Sequence, residues 1–165
     1  MAKESSAILS SHLSALLCTP TNPMDRFLAP NTSEAIAHSQ LTENWFTWDQ
    51  DHPSFNETLV AGGASYQAFN RYLSGSDLFI VPRTRSELQS VLRRYAYDSI
   101  HNAISVSRQT LQPGGYSRIC MLAEKSIRNV LNTNDNTEVL LALHAPKSAS
   151  QPTSERTISS AGIRT

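Results

Sequence analysis

Between Arg83 and Leu131 the chain carries eight cations, and all but Lys125 are arginine: Arg83, Arg85, Arg93, Arg94, Arg108, Arg118 and Arg128. A guanidinium is planar, permanently charged and forks onto two oxygens of a phosphate or carboxylate, so a segment built from arginine points to specific anion contacts. Tyr95, Tyr97 and Tyr116 are interleaved with these cations and offer rings on which bases can stack. The chemistry that such a set supports is binding along an RNA backbone. The competing reading is a solvated face paired with acidic residues elsewhere in the chain. Other chemistry is sparsely provided for. His12, His38, His52 and His144 are dispersed, with no Cys, Asp or Glu at ligand spacing, and Gly62-Gly63 and Gly114-Gly115 precede no lysine that would make a phosphate loop. No metal and no cofactor is expected.

Arg94, Asp98 and His101 stand at i, i+4 and i+7, which places them on one face if the segment is helical. The spacing is similar to the arginine-to-histidine motif of HEPN-type helical ribonucleases. That resemblance implies a dimer in which histidine or arginine activates and stabilises a scissile phosphate. The plainer reading is an Arg94–Asp98 pair on a helix surface.

The charges are segregated along the chain although the formal net charge is zero. Up to Pro82 there are three cations against eight carboxylates, and from Arg83 to Leu131 eight cations against three. Unlike halves of this kind face each other within one fold, or meet between copies or on a polyanion. A length of 165 residues with 39% hydrophobic residues suits one core. Cys18 and Cys120 are too few and too far apart for a disulfide scaffold or zinc ribbon, which fits a reducing, intracellular setting. No run approaches the ~20 apolar residues of a membrane span, and Ser10, Ser11, His12 and Ser14 break what a signal peptide needs. The expectation is a soluble protein.

The elements that would position the arginines can be placed from caps and periodicity. Leu9, Leu13, Leu16 and Leu17 recur at helical spacing, and Asn22-Pro23 opens a short turn that Pro30 closes. Asn31 with Glu34, Ser54 with Glu57, and Thr84 with Glu87 are three capping pairs. The first helix brings Ala37, Leu41, Trp45 and Trp48 to one face, with the two tryptophans as core anchors or an oligomer contact. The second carries Phe55, Leu59, Tyr66, Phe69 and Leu73 through Gly62, where a close crossing, a kink or a break is expected. Residues 77–82 read as a packed linker or half of a minor hairpin. Thr84 to Leu111 reads as one helix of 28 residues, roughly 40 Å long, with Leu88, Leu92, Ala96, Ile100, Ala103 and Leu111 on its apolar face. After Pro113-Gly114-Gly115, the residues Tyr116, Ile119, Ala123, Ile127 and Val130 make its antiparallel partner, and Asp135 with Glu138 caps a last short helix. The expected fold is all-α, an antiparallel helical bundle of four to six helices. The bundle domain spans residues 1–145 and is followed by a Ser/Thr/Pro-rich tail, 146–165, with polar, flexible ends.

Arginine in excess of lysine, abundant Ser, Thr and Asn, Arg93-Arg94 followed by Asp98, and the turn into Tyr116-Ser117-Arg118 together resemble the coat proteins of rod-shaped, helical plant RNA viruses. The likeness covers about a fifth of the chain. It implies a four-helix bundle that stacks head-to-tail into a rod with RNA threaded between subunits against arginines, in a virion or the host cytoplasm. The expectation is therefore a non-enzymatic capsid protein that forms homo-oligomers, or a filament, around RNA, with no membrane partner. A HEPN-like ribonuclease and an adaptor or subunit of a large complex are the alternatives.

Overall fold

A computed structural model describes residues 22–43, 53–106 and 111–146. A 3-10 turn, Pro23–Arg26, leads into α1 (Ser33–Thr42), α2 (Pro53–Ser74), α3 (Arg85–Val106), α4 (Gly115–Asn132) and α5 (Asn136–Leu143). Among the described residues there is no strand, so the fold is the all-α bundle that the periodicity predicts. The stripe Leu9–Leu17, Trp45, Trp48, Arg108 and the tail beyond Pro146 lie outside the described residues.

α2 is the centre, packed against α1, α3 and α4. Its Val60, Ala64, Ala68, Phe69 and Tyr72 meet Leu88, Leu92, Tyr95, Ala96 and Ile100 of α3 and Ile119, Ala123, Ile127 and Leu131 of α4, all buried. These residues recur at three- and four-residue steps, which turns one face of each helix inward. Ser65 sits fully buried among them and turns its hydroxyl to the Ala61 carbonyl at 2.9 Å, so the buried polar group is satisfied. Ile119, Ala123 and Ile127 are where the sequence places them, whereas Tyr116 is exposed.

α2 continues unbroken through Gly62 and Gly63. They are where α1 crosses: a Cβ at Gly62 would lie 3.1 Å from the Ala37 Cβ, and one at Gly63 would strike the Leu41 side chain. The missing side chains let two helices approach closely, and that tertiary gain outweighs glycine's weak helix propensity.

The caps divide by whether a long-range partner competes. Thr84 Oγ1 accepts from the Glu87 amide at 3.2 Å, the cap expected at the start of α3, while the Glu87 carboxylate reaches one residue past the cap to accept from the Arg83 amide at 2.7 Å. Asn22 accepts from the Met24 amide at 3.1 Å, also as expected. The N-cap of α1, however, is Thr32 and not Asn31, with Thr32 Oγ1 accepting from the Ala35 amide at 3.3 Å. Glu34 accepts instead from the Ser126 hydroxyl of α4 at 2.7 Å. α2 begins at Pro53, and Glu57 turns to Arg118. Asp135 holds the N-cap position of α5 but gives its carboxylate to Arg26, 3.0 Å away.

α3 is described from Arg85 to Val106, and residues 107–110 lie outside the described residues. Leu111, the last of the 28 residues expected, packs on the core outside any helix. Residues 77–82 form a linker fixed at its base. The Arg71 guanidinium bonds Asp77 at 2.6 Å and Asp98 at 3.0 Å, and the Tyr95 hydroxyl donates to the Asp77 carbonyl at 3.0 Å.

Candidate nucleic-acid interface

α3 and α4 lie side by side and antiparallel, with 85, 97 and 101 of α3 meeting 132, 124 and 116 of α4. Polar bonds cross the seam between the helices. The Arg85 guanidinium donates to the Asn132 amide oxygen, the Tyr97 hydroxyl donates to Glu124, and His101 Nε2 meets the Tyr116 hydroxyl at 2.7 Å. Arg128 reaches back toward Glu124 at 3.8 Å within α4. The bond to Glu124, reinforced by burial, pushes the Tyr97 phenol up to about 12. Burial also raises the Cys120 thiol, so it stays protonated beside Tyr116. A protonated, buried thiol is inert.

The sequence-predicted cations separate into three groups. Arg118 is committed within the fold: its Nη2 and Nε bond the two oxygens of Glu57 at 2.6 and 2.8 Å. Glu57 is 4% exposed, and the Arg118 hydrogen bond holds its carboxyl below the ordinary value against the opposing effect of burial. Gly115 makes room for the pair, since a Cβ there would lie 2.9 Å from the Glu57 Oε1. Arg85 and Arg128 are lightly engaged across or along the seam. Arg83, Arg93 and Arg94 are exposed and form no ion pair with a described carboxylate. Arg94 lies over the Tyr95 ring, 5.4 Å from its centroid.

The interleaved tyrosines offer less to a base than their spacing suggests. Tyr95 is 2% exposed and has the Arg71 guanidinium over its ring at 4.4 Å, so no face is left for stacking. Tyr97 is half-buried, and Tyr116 is the exposed ring.

Arg94, Asp98 and His101 share a helix face but are drawn to three partners. Asp98 bonds Arg71 of α2, His101 bonds Tyr116 of α4, and Arg94 rests on Tyr95. The expected Arg94–Asp98 pair does not form, because the Arg71 guanidinium, already anchored by Asp77, offers Asp98 a preset partner. Among the described residues no group of three His, Cys, Asp or Glu could hold a metal, and no helix is long and apolar enough to cross a membrane.

Two features escaped the spacing. Arg71, alone in an acidic stretch, organises the α2–α3 linker, and that linker presents Phe79 and Ile80 to solvent at 93% and 81% exposure. Flanking Gly75 and Pro82 mark a turn, but nothing local says which side chains it turns outward. Comparison with family models, with curated proteins and with solved structures finds no match to this chain.

Proposed function

We propose that this chain is a structural, self-assembling protein, a capsid protein whose copies pack around RNA in a helical particle. The supporting observation is that, among the described residues, the cations of the basic segment are mostly not neutralised by carboxylates of the fold. Among the described residues a single ion pair, Glu57–Arg118, joins the acidic half to a cation of the basic half. Arg83, Arg85, Arg93 and Arg94 stand exposed on the first half of α3 and its approach, with Glu87 as the one carboxylate between Arg83 and Arg94. That carboxylate is occupied by the Arg83 amide. Guanidiniums that form no ion pair with a described carboxylate retain charge for phosphate oxygens. Val106 and Met121, 83% and 61% exposed on α3 and α4, offer apolar contact to a neighbouring copy.

Negative-stain microscopy of the purified chain, with and without RNA, is the test. Rods or discs that respond to pH, salt and RNA are the expected result. An inert monomer would replace this reading with the adaptor. Discrete dimers that cleave RNA and lose cleavage on His101→Ala would replace it with the ribonuclease.

A further inference from the structure

The α2–α3 linker poses a problem of burial that the described bundle leaves open. Phe79 and Ile80 are almost fully exposed, yet both flanks of the linker are pinned. Asp77 is held by Arg71 and by the Tyr95 hydroxyl, Pro82 is buried, and Gly75 takes a positive φ of 67° against the His144 ring. A segment tied down this closely holds its two large apolar side chains in place. Leu143, 51% exposed, belongs to the same end of the bundle, because the neighbouring His144 Nε2 bonds the Tyr72 carbonyl at 2.7 Å. Large apolar side chains held exposed at one end of a bundle mark a contact site.

The chain enters the bundle near that end. Arg26, four residues after Asn22, is bonded to Asp135 at the start of α5. The eight residues of α5 rise about 12 Å from there to the Tyr72–His144 contact. Before Asn22 stand Leu9, Leu13, Leu16 and Leu17, at i, i+4, i+7 and i+8, with serines and His12 between them. An apolar stripe of this spacing needs a surface to cover. Leu17 is five residues from Asn22 and reaches at most ~17 Å with that connection extended, and Leu13, one helical turn further along the stripe, at most ~23 Å. Both limits span the end of a bundle whose helices lie ~10 Å apart.

We infer that the stripe Leu9, Leu13, Leu16 and Leu17 packs on Phe79, Ile80 and Leu143 of its own chain. This intramolecular cover is independent of RNA binding and of assembly. The test pairs Leu13→Cys with Phe79→Cys in a Cys18→Ser background, leaving Cys120 in the core, under mild oxidation. The expected result is a disulfide within one chain that forms at least tenfold faster than with Ser90→Cys, an exposed control on α3. Leu16→Asp with Leu17→Asp then slows it to the control rate. Equal rates at positions 79 and 90, or a bond between chains whose rate rises with protein concentration, would overturn the inference. Exposed residues at 79 and 80 tolerate substitution, so a second measurement stands beside the first. The Leu16→Asp, Leu17→Asp protein binds an environment-sensitive hydrophobic dye several-fold more strongly, and Phe79→Ser with Ile80→Ser removes the increase. Unchanged dye binding would equally count against it.

Discussion

Arg118 and Glu57, 61 residues apart in sequence, meet fork to fork, with Nη2 on Oε1 at 2.6 Å and Nε on Oε2 at 2.8 Å. The pair ties the first turn of α4 to the first turns of α2, and Arg118 Nη1 also donates to the Pro113 carbonyl at 3.2 Å. Its carboxylate is buried and its guanidinium half open to water, so the carboxylate depends on the arginine more than the reverse.

That dependence makes the pair visible in acid. Glu57 has a folded pKa depressed below its ordinary 4.5, so its contribution is complete above that value and is lost as pH falls through the depressed one. Thermal melts between pH 6 and 3 should show a fall in Tm that is shallower in Glu57→Gln. Arg118→Ala should lower Tm by several degrees at pH 7, where it strands a buried carboxylate. An Arg118→Ala protein that melts like the parent would show the pair to be incidental.

The crossing of α1 over α2 can be tested by volume. Gly62→Leu has to displace Ala37 or separate the helices, and overpacking of this kind costs about 2 kcal/mol. Urea unfolding should report it as a lower midpoint with an unchanged slope. A neutral Gly62→Leu would mean that α1 shifts freely on α2.

Two phenols govern the alkaline side. Tyr72 is pushed up to about 12 chiefly by burial, and Tyr97 to about 12 chiefly by its bond to Glu124. For both, the protonated form is favoured in the fold, so the stabilisation is complete below pH 10 and is lost as pH rises toward 12. Absorbance titration near 295 nm should show Tyr72 and Tyr97 ionising late, together with unfolding. Tyr72→Phe, which also leaves the Leu140 carbonyl without its 3.0 Å donor, should cost about 1 kcal/mol at neutral pH.

The arginines should separate by their present partners. On the proposed packing around RNA, Arg83→Gln, Arg93→Gln and Arg94→Gln should each weaken RNA binding evenly across sequences and reduce the slope of log affinity against log salt by ~0.7. Arg118→Gln should leave that slope unchanged and lower the melting temperature instead. A slope that falls equally for all four would show Arg118 to be as free for phosphate as the others.

Leu88, Leu92, Ala96 and Ile100 of α3, Ile119, Ala123, Ile127 and Val130 of α4, and the Thr84 and Asn22 caps were legible, because each depends on neighbours within one or two helical turns. The arginine content that suggests a polyanion was equally plain. What the linear order could not specify was the partner of each charged or polar group. Glu34, Glu57, Asp98 and Asp135 all stand at spacings that suit a cap or a helix-surface pair, and all four are taken by groups on other elements. A side chain bonds the best-placed donor within about 3 Å, and packing brings in competitors from tens of residues away. The same packing made a crossing point of Gly62-Gly63, buried the ring of Tyr95 and left Phe79 and Ile80 outside. Local pattern thus chose the helices, and their mutual contact chose which arginines stay exposed without an ion pair to a described carboxylate.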